Sequence, residues 1–119
     1  MDVFADPPAE GFVLRLYDVG TRQVLRELRG MTGNPGESTI SPDGSLVAVA
    51  LDHTDIFRSG PMPIMVWDTR TGEIRARLEG HPRRVTSLRF NPEGHVLAAA
   101  SLDKNVQLWN PITTAKPLR

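Results

Sequence analysis

Apolar positions along the chain fall into two patterns. In Glu73-Ile74-Arg75-Ala76-Arg77-Leu78-Glu79 every second residue is apolar, the period of a strand with one wet face, and Gln23 to Arg29 behaves alike. Leu46-Val47-Ala48-Val49-Ala50-Leu51 and Val96-Leu97-Ala98-Ala99-Ala100 are instead unbroken apolar runs. They are too short for useful helices and are bounded by turn residues, so they read as strands buried on both faces. Turn signals at Val19-Gly20-Thr21, Pro35-Gly36, Pro42-Asp43-Gly44, Gly60-Pro61, Thr71-Gly72, Pro92-Glu93-Gly94 and Pro111 separate such segments. Strands are predicted near 12–18, 23–29, 37–40, 45–51, 63–68, 73–79, 85–90, 95–101, 105–110 and 115–119. With short turns and no helical period between them, they specify an antiparallel meander.

Two of these stretches repeat one another. Gly80-His81, Asn91-Pro92-Glu93-Gly94, Ser101-Leu102-Asp103 and Leu108-Trp109-Asn110 recapitulate Gly30, Ser41-Pro42-Asp43-Gly44, Leu51-Asp52 and Val66-Trp67-Asp68. Trp67 and Trp109 lie 42 positions apart, within the ~40–45 residue period of propeller blades. Val13-Leu14-Arg15-Leu16-Tyr17-Asp18 is a third, partial copy, with Tyr17 standing 50 positions before Trp67. In these motifs the chain resembles the WD-repeat family of β-propellers. The resemblance covers everything after Glu10 and implies an all-β fold, the antiparallel four-stranded blades of an incomplete WD-repeat β-propeller. It divides the chain into an N-terminal extension at 1–11 and a propeller segment at 12–119. That segment holds a partial blade at 12–30 and blades at 31–80 and 81–119, with strands c-d, a-b-c-d and a-b-c-d. Closed propellers use ~4–8 blades, and exposed terminal repeats need polar caps. The expectation is therefore completion by further blades of a longer chain, or self-association.

The resemblance also implies a structural role for the most chemically suggestive residues. His81, Ser101, Asp103 and Trp109 match the four positions of the hydrogen-bonded tetrad of WD-repeat blades. An indole only donates, a hydroxyl and a neutral imidazole do both, and a carboxylate only accepts, so a path from Trp109 through Ser101 and His81 to Asp103 satisfies every member. A Ser-His-Asp hydrolase triad is the competing reading. Trp109 would occupy its hydroxyl, and no Gly-x-Ser-x-Gly elbow exposes a nucleophile, so the structural reading prevails. In the first full unit the corresponding set is degenerate, with Met31 and Ala50 in place of His81 and Ser101, and with Asp52 and Trp67 retained. Asp52 and the Trp67 indole are then expected to find water or backbone partners, in a looser blade.

Relative to the second unit, the first carries about nine extra residues between Asp52 and Trp67, drawn from 53–63. In WD-repeat propellers this connection resembles those on the face that often binds partners. Phe57, Arg58 and Met62 suit a contact surface. Arg83, Arg84 and Lys104 share that side and suit an acidic peptide. A long hairpin packing on its own blade and a solvated turn are the competing readings.

Composition narrows the remaining classes. The formal net charge of +0 leaves no global field for nucleic acid or an acidic membrane surface. No run reaches the ~18 apolar residues of a membrane span. The absence of cysteine removes disulfides and thiolate chemistry. His53, His81 and His95 lack a carboxylate cluster at metal-ligand spacing, so neither metal nor cofactor is expected. The N-terminus carries no basic, then apolar, leader, and the expected location is cytoplasmic. Together these features point to a non-catalytic scaffold for protein or peptide partners. The alternatives are a regulatory propeller portion of a larger signalling enzyme, or an enzyme or ligand-binding propeller of another family, in which Ser-Pro-Asp-Gly also occurs.

Overall fold

A computed structural model describes residues 2–6, 13–30, 34–52, 63–79, 84–102 and 104–111, and among them every regular element is a strand. In chain order these are β1 (Asp2–Asp6), β2 (Val13–Tyr17), β3 (Val24–Leu28), β4 (Asn34–Ile40), β5 (Leu46–Asp52), β6 (Ile64–Asp68), β7 (Ile74–Leu78), β8 (Val85–Phe90), β9 (Leu97–Ser101) and β10 (Val106–Trp109). All pairs are antiparallel, in sheets ordered β1-β2-β3, β4-β5-β6-β7 and β10-β9-β8.

The unbroken apolar run of β5 sets the layering. Because side chains alternate across a strand, its residues feed two cores. Leu46, Ala48 and Ala50 join Ile64, Val66 and Leu78 against Val85, Leu88, Leu97, Ala99 and Trp109 of the third sheet. Val47, Val49 and Leu51 join Met65 and Trp67 against Leu14, Leu16 and Leu28 of the first. The three sheets thus stack face to face in series, with the inner strands β5 and β6 of the middle one dry on both sides. Each fully buried Val, Leu, Ile or Met side chain in these layers contributes about 1.5–3 kcal/mol.

The apolar run at 96–100 behaves differently. Leu97, Ala99 and Ser101 are buried, whereas Ala98 and Ala100 are only half-buried, because no described sheet lies on their side. Within the expected extension, residues 2–6 form a strand of the first sheet. β1 pairs with β2 from Asp2↔Tyr17 to Asp6↔Val13, so the partial blade has three strands rather than two. The amides along a strand as buried as Leu14 and Leu16 need partners on both edges, and β1 supplies them. Pro35-Gly36 is not a turn between elements but an irregularity inside β4, where the register shifts between Pro35 and Ser38. β4 is an edge strand, where a proline costs no ladder bond. A Cβ on Gly36 would sit 2.8 Å from the Ala50 carbonyl oxygen, so only glycine fits. The predicted strand at 115–119 lies outside the described residues.

The turns repeat at the level of single hydrogen bonds. Gly44 N–H donates to Ser41 O, and Gly94 N–H to Asn91 O, each at 2.9 Å. A side-chain acceptor opens each turn: Ser41 Oγ takes the Leu46 amide, and Asn91 Oδ1 takes the Val96 amide, again at 2.9 Å. The β2–β3 and β6–β7 turns match as well, Arg22 N–H donating to Asp18 O at 2.7 Å and Gly72 N–H to Asp68 O at 2.8 Å. Arg22 and Gly72 both adopt a left-handed backbone there, with φ of 61° and 78°.

In the first of these turns the Ser45 hydroxyl (2.7 Å), the Ser45 amide (3.0 Å) and the Ser41 hydroxyl (2.8 Å) all donate to Asp43 Oδ1. These bonds, that from the Ser45 hydroxyl foremost, push the carboxyl down from its ordinary 3.8 to about 2. A lowered folded-state pKa means that the stabilisation is complete above the unfolded value and is lost as pH falls through the folded one. Stability relative to Asp43→Asn should therefore shrink as pH drops from about 4 to about 2. Thermal melts of both proteins across that window test this. The carboxylate is exposed, so the gap is small; one that stays constant with pH would show that the three donors do not favour the charged form.

Candidate functional site

The register relocates the degenerate set. Counting from the matched turns, Leu51 and not Ala50 is the counterpart of Ser101. The Leu51 amide donates to Pro63 O and the Ser101 amide to Asn105 O, each at 3.1 Å. In the third sheet, Ser101 and Trp109 lie on the same inner face. In the middle sheet, Trp67 shares its face with Val47, Val49 and Leu51, whereas Ala50 points the other way, into the core shared with the third sheet. A one-residue slip in a strand changes the face of every side chain, and aligning on the text Leu-Asp makes that slip. Asp52 accordingly does not share a face with Trp67. Its Oδ2 lies 3.2 Å from Nε of Arg84, just before β8 in the next sheet, an ion pair between the two sheets. By the same count His53 falls where Asp103 stands. Both residues, with Met31 and His81, lie outside the described residues.

Ser101 and Trp109 are buried and each has an interaction partner. Trp67 is fully buried, and its indole nitrogen donates to the Arg29 carbonyl at 2.9 Å, a backbone partner at the end of β3. The first and middle sheets are joined a second time by Arg26, whose Nε donates to Thr69 O at 2.9 Å and Nη2 to Arg70 O at 2.6 Å. No motif marks Arg26. Its counterpart in β7 is Ala76, so comparing the two d strands is the one signal that sets it apart.

At one end of the sheets, Asp52, Arg84 and Lys104 come together with the connection between β5 and β6. The Leu51–Pro63 bond closes the base of that hairpin around eleven residues, and the Ser101–Asn105 bond closes the β9–β10 hairpin around three. Arg84 and Lys104 are exposed, Lys104 with a left-handed φ of 68° in the shorter turn. The remaining candidates, Phe57, Arg58, Met62 and Arg83, lie outside the described residues. At the opposite end, shallow hollows of about 170 and 250 Å³ share Asp68 and Arg75. Asp68 Oδ1 there accepts the Arg70 amide at 2.8 Å, a local turn bond. Among the described residues no group of three or more histidines and carboxylates could hold a metal, and no helix is long and apolar enough to cross a membrane.

Repeated antiparallel sheets stacked face to face, with matched turns and a buried tryptophan at the same place in two of them, define a repeat protein of the propeller-blade type. Residues 72–110 match the family described as WD domain, G-beta repeat. The chain is 35% identical over 98 residues to WD repeat and SOCS box-containing protein 1 of Takifugu rubripes, covering 82% of this chain and 21% of that protein. It is 33% identical over 84 residues to the periodic tryptophan protein 2 homolog of Neurospora crassa, covering 67% and 8%. It is 43% identical over 47 residues to the guanine nucleotide-binding protein subunit beta of Saccharomyces cerevisiae, covering 40% and 11%. The chain belongs to the WD-repeat family. It spans about a fifth or less of the length of these relatives.

Proposed function

We propose that this segment is a non-catalytic scaffold that presents one end of its sheets to a protein or peptide partner. The observation carrying the reading is the β5–β6 hairpin. Both strands are the dry inner pair of the middle sheet, and the base is closed by the Leu51–Pro63 bond, so a rigid support holds a connection much longer than its counterpart in the next sheet. Long loops on rigid sheets are where recognition concentrates. Arg84 and Lys104 beside it supply cationic contacts for an acidic partner. One of the similar proteins is by name a subunit, in keeping with a role in assembly.

Deleting residues 53–61 should leave folding largely intact, because a surface insertion of this length adds little closure entropy. It should abolish capture of the partners held by the intact chain. Paired pull-downs, with circular dichroism on both proteins, test this. Unfolding of the shortened chain, or retention of the same partners, would make the connection structural and move the binding surface elsewhere.

A further inference from the structure

The β6–β7 turn of the middle sheet carries charges that its backbone does not need. It is built bond for bond like the β2–β3 turn. Asp18 and Asp68 each donate their amide to the carbonyl five residues on, at 2.9 Å, and each accepts at Oδ1 the amide two residues on, at 2.8 Å. The Thr21 and Thr71 hydroxyls likewise accept the amides of Gln23 and Glu73, at 3.4 and 3.2 Å. Both hairpins carry one extra residue in the second strand, Leu25 in the first and Arg75 in the second. The register there steps from Leu16↔Arg26 to Tyr17↔Val24, and from Val66↔Ala76 to Trp67↔Ile74. The first turn forms all of this with Gly20, Gln23 and Leu25 where the second has Arg70, Glu73 and Arg75. Three charges therefore stand where the same backbone is made without any.

These charges line the two adjoining hollows at that end of the sheet. Arg70, Arg75, Asp68 and Ser45 border the one of about 170 Å³, whereas Asp68, Glu73 and Arg75 border the one of about 250 Å³. The first is net positive and the second net negative. A bulge re-aims the side chain at its extra position, and Arg75 borders both hollows. Ion pairs among the described residues join Arg15 and Arg29 to Glu27, Arg77 to Glu79 and Arg84 to Asp52, and none uses Asp68, Arg70, Glu73 or Arg75. Both hollows lie on the middle sheet, which has a neighbouring sheet on each face. They open beside β7, an edge strand whose outer main-chain groups have no strand partner among the described residues.

We infer that the paired hollows take an extended segment of a partner protein that bears an acidic side chain and, two residues along, a basic one. In an extended chain such residues share a face about 6.6 Å apart, so adjoining hollows are within reach of one segment. The acid meets the guanidiniums of Arg70 and Arg75, each a fork of N–H donors suited to a carboxylate. The base meets Asp68 and Glu73, Asp68 keeping Oδ2 for it while Oδ1 holds the Arg70 amide. A segment with a single sign of charge sets like charges together in one of the hollows and is rejected. This surface lies at the opposite end of the sheets from the β5–β6 connection and is independent of the site proposed there.

The probe is the capped peptide Thr-Glu-Thr-Lys-Thr, titrated into the isotope-labelled chain and read by the amide chemical shifts of residues 68–75. Saturable shifts confined to that turn are expected. Replacing either charged residue of the peptide with Gln should weaken binding about fivefold, the upper worth of an exposed ion pair. Arg70→Gly, Glu73→Gln and Arg75→Leu together copy the β2–β3 turn, so this variant should keep the native circular dichroism and lose the peptide. Arg77→Ala, an exposed change on the same strand, should bind as the native chain does. The two Gln peptides decide the matter should the triple variant unfold. Absence of shifts in the native chain, equal binding of the Gln peptides, or unchanged binding by a folded triple variant would overturn the inference. So would the same shifts from inorganic phosphate at equal concentration, which would reveal an oxyanion site alone.

Discussion

Replacing Trp67 with alanine should cost about 3–5 kcal/mol, the range for emptying a buried aromatic site, and so remove a large share of the ~5–15 kcal/mol that holds a domain together. The side chain is 0% exposed and fills the layer between the first and middle sheets, against Leu14, Leu28 and its own strand neighbours' side of that core. Trp67→Phe keeps most of that volume and removes the donor to the Arg29 carbonyl. It should cost only ~1–2 kcal/mol, the scale of one neutral hydrogen bond and an acceptor left to find water. The chain has two tryptophans, so in both variants Trp109 remains as a fluorescent reporter inside the other junction. Urea titrations followed by Trp109 emission and by circular dichroism measure both costs. A loss below 1 kcal/mol in the alanine variant would mean that this junction contributes little to the fold.

What was legible in the sequence is what short-range patterning controls. The run Leu46–Leu51 announces a strand dry on both faces, and it is one, because every position is apolar and a sheet lies on each side. The Ser41 and Asn91 turns are legible for the same reason: a small polar acceptor followed by proline, an acid and glycine closes the same bonds wherever it occurs. Properties that depend on a neighbour were not legible. Val96–Ala100 resembles Leu46–Leu51 in composition, yet Ala98 and Ala100 stay half-buried, since burial is decided by the adjoining sheet and not by the strand. β1 is not legible because five residues before a proline pair carry a weak pattern, and its pairing with β2 is not fixed by local sequence.

The candidate site was readable only in part, and for a geometric reason. Alignment on the Leu-Asp text places Asp52 with Trp67. Strand alternation puts it on the opposite face, within reach of Arg84. Its role therefore passes from a network inside one blade to an ion pair between two, a change no residue count reveals unless the count is anchored on the turns. Residues Leu102 and Asp52 make the same point. They are structural counterparts, and the change from carboxylate to leucine turns a paired edge into an apolar one.

Arg26→Ala is expected to destabilise the chain by about 1.5–3 kcal/mol, the worth of hydrogen bonds from a charged donor. The guanidinium reaches out of β3 to two consecutive carbonyls, Thr69 and Arg70, in the β6–β7 turn of the next sheet, at 2.9 and 2.6 Å. Its stem crosses Gly72, where a Cβ would lie 3.0 Å from Arg26 Cδ, so the turn is shaped to let it pass. A lysine cannot reproduce that geometry, because an ammonium is a single point and the two acceptors are read by separate nitrogens of a planar fork. Arg26→Lys should therefore recover less than half of the loss. Arg77→Ala serves as the control, since it removes an exposed arginine whose ion pair with Glu79 lies on the same strand end, and such pairs contribute ~0–1 kcal/mol. Chemical denaturation of the three variants ranks them. Equal small effects for Arg26→Ala and Arg77→Ala would mean that solvent replaces the two bonds without cost, and that Trp67 and the apolar layer alone hold the first sheet to the second.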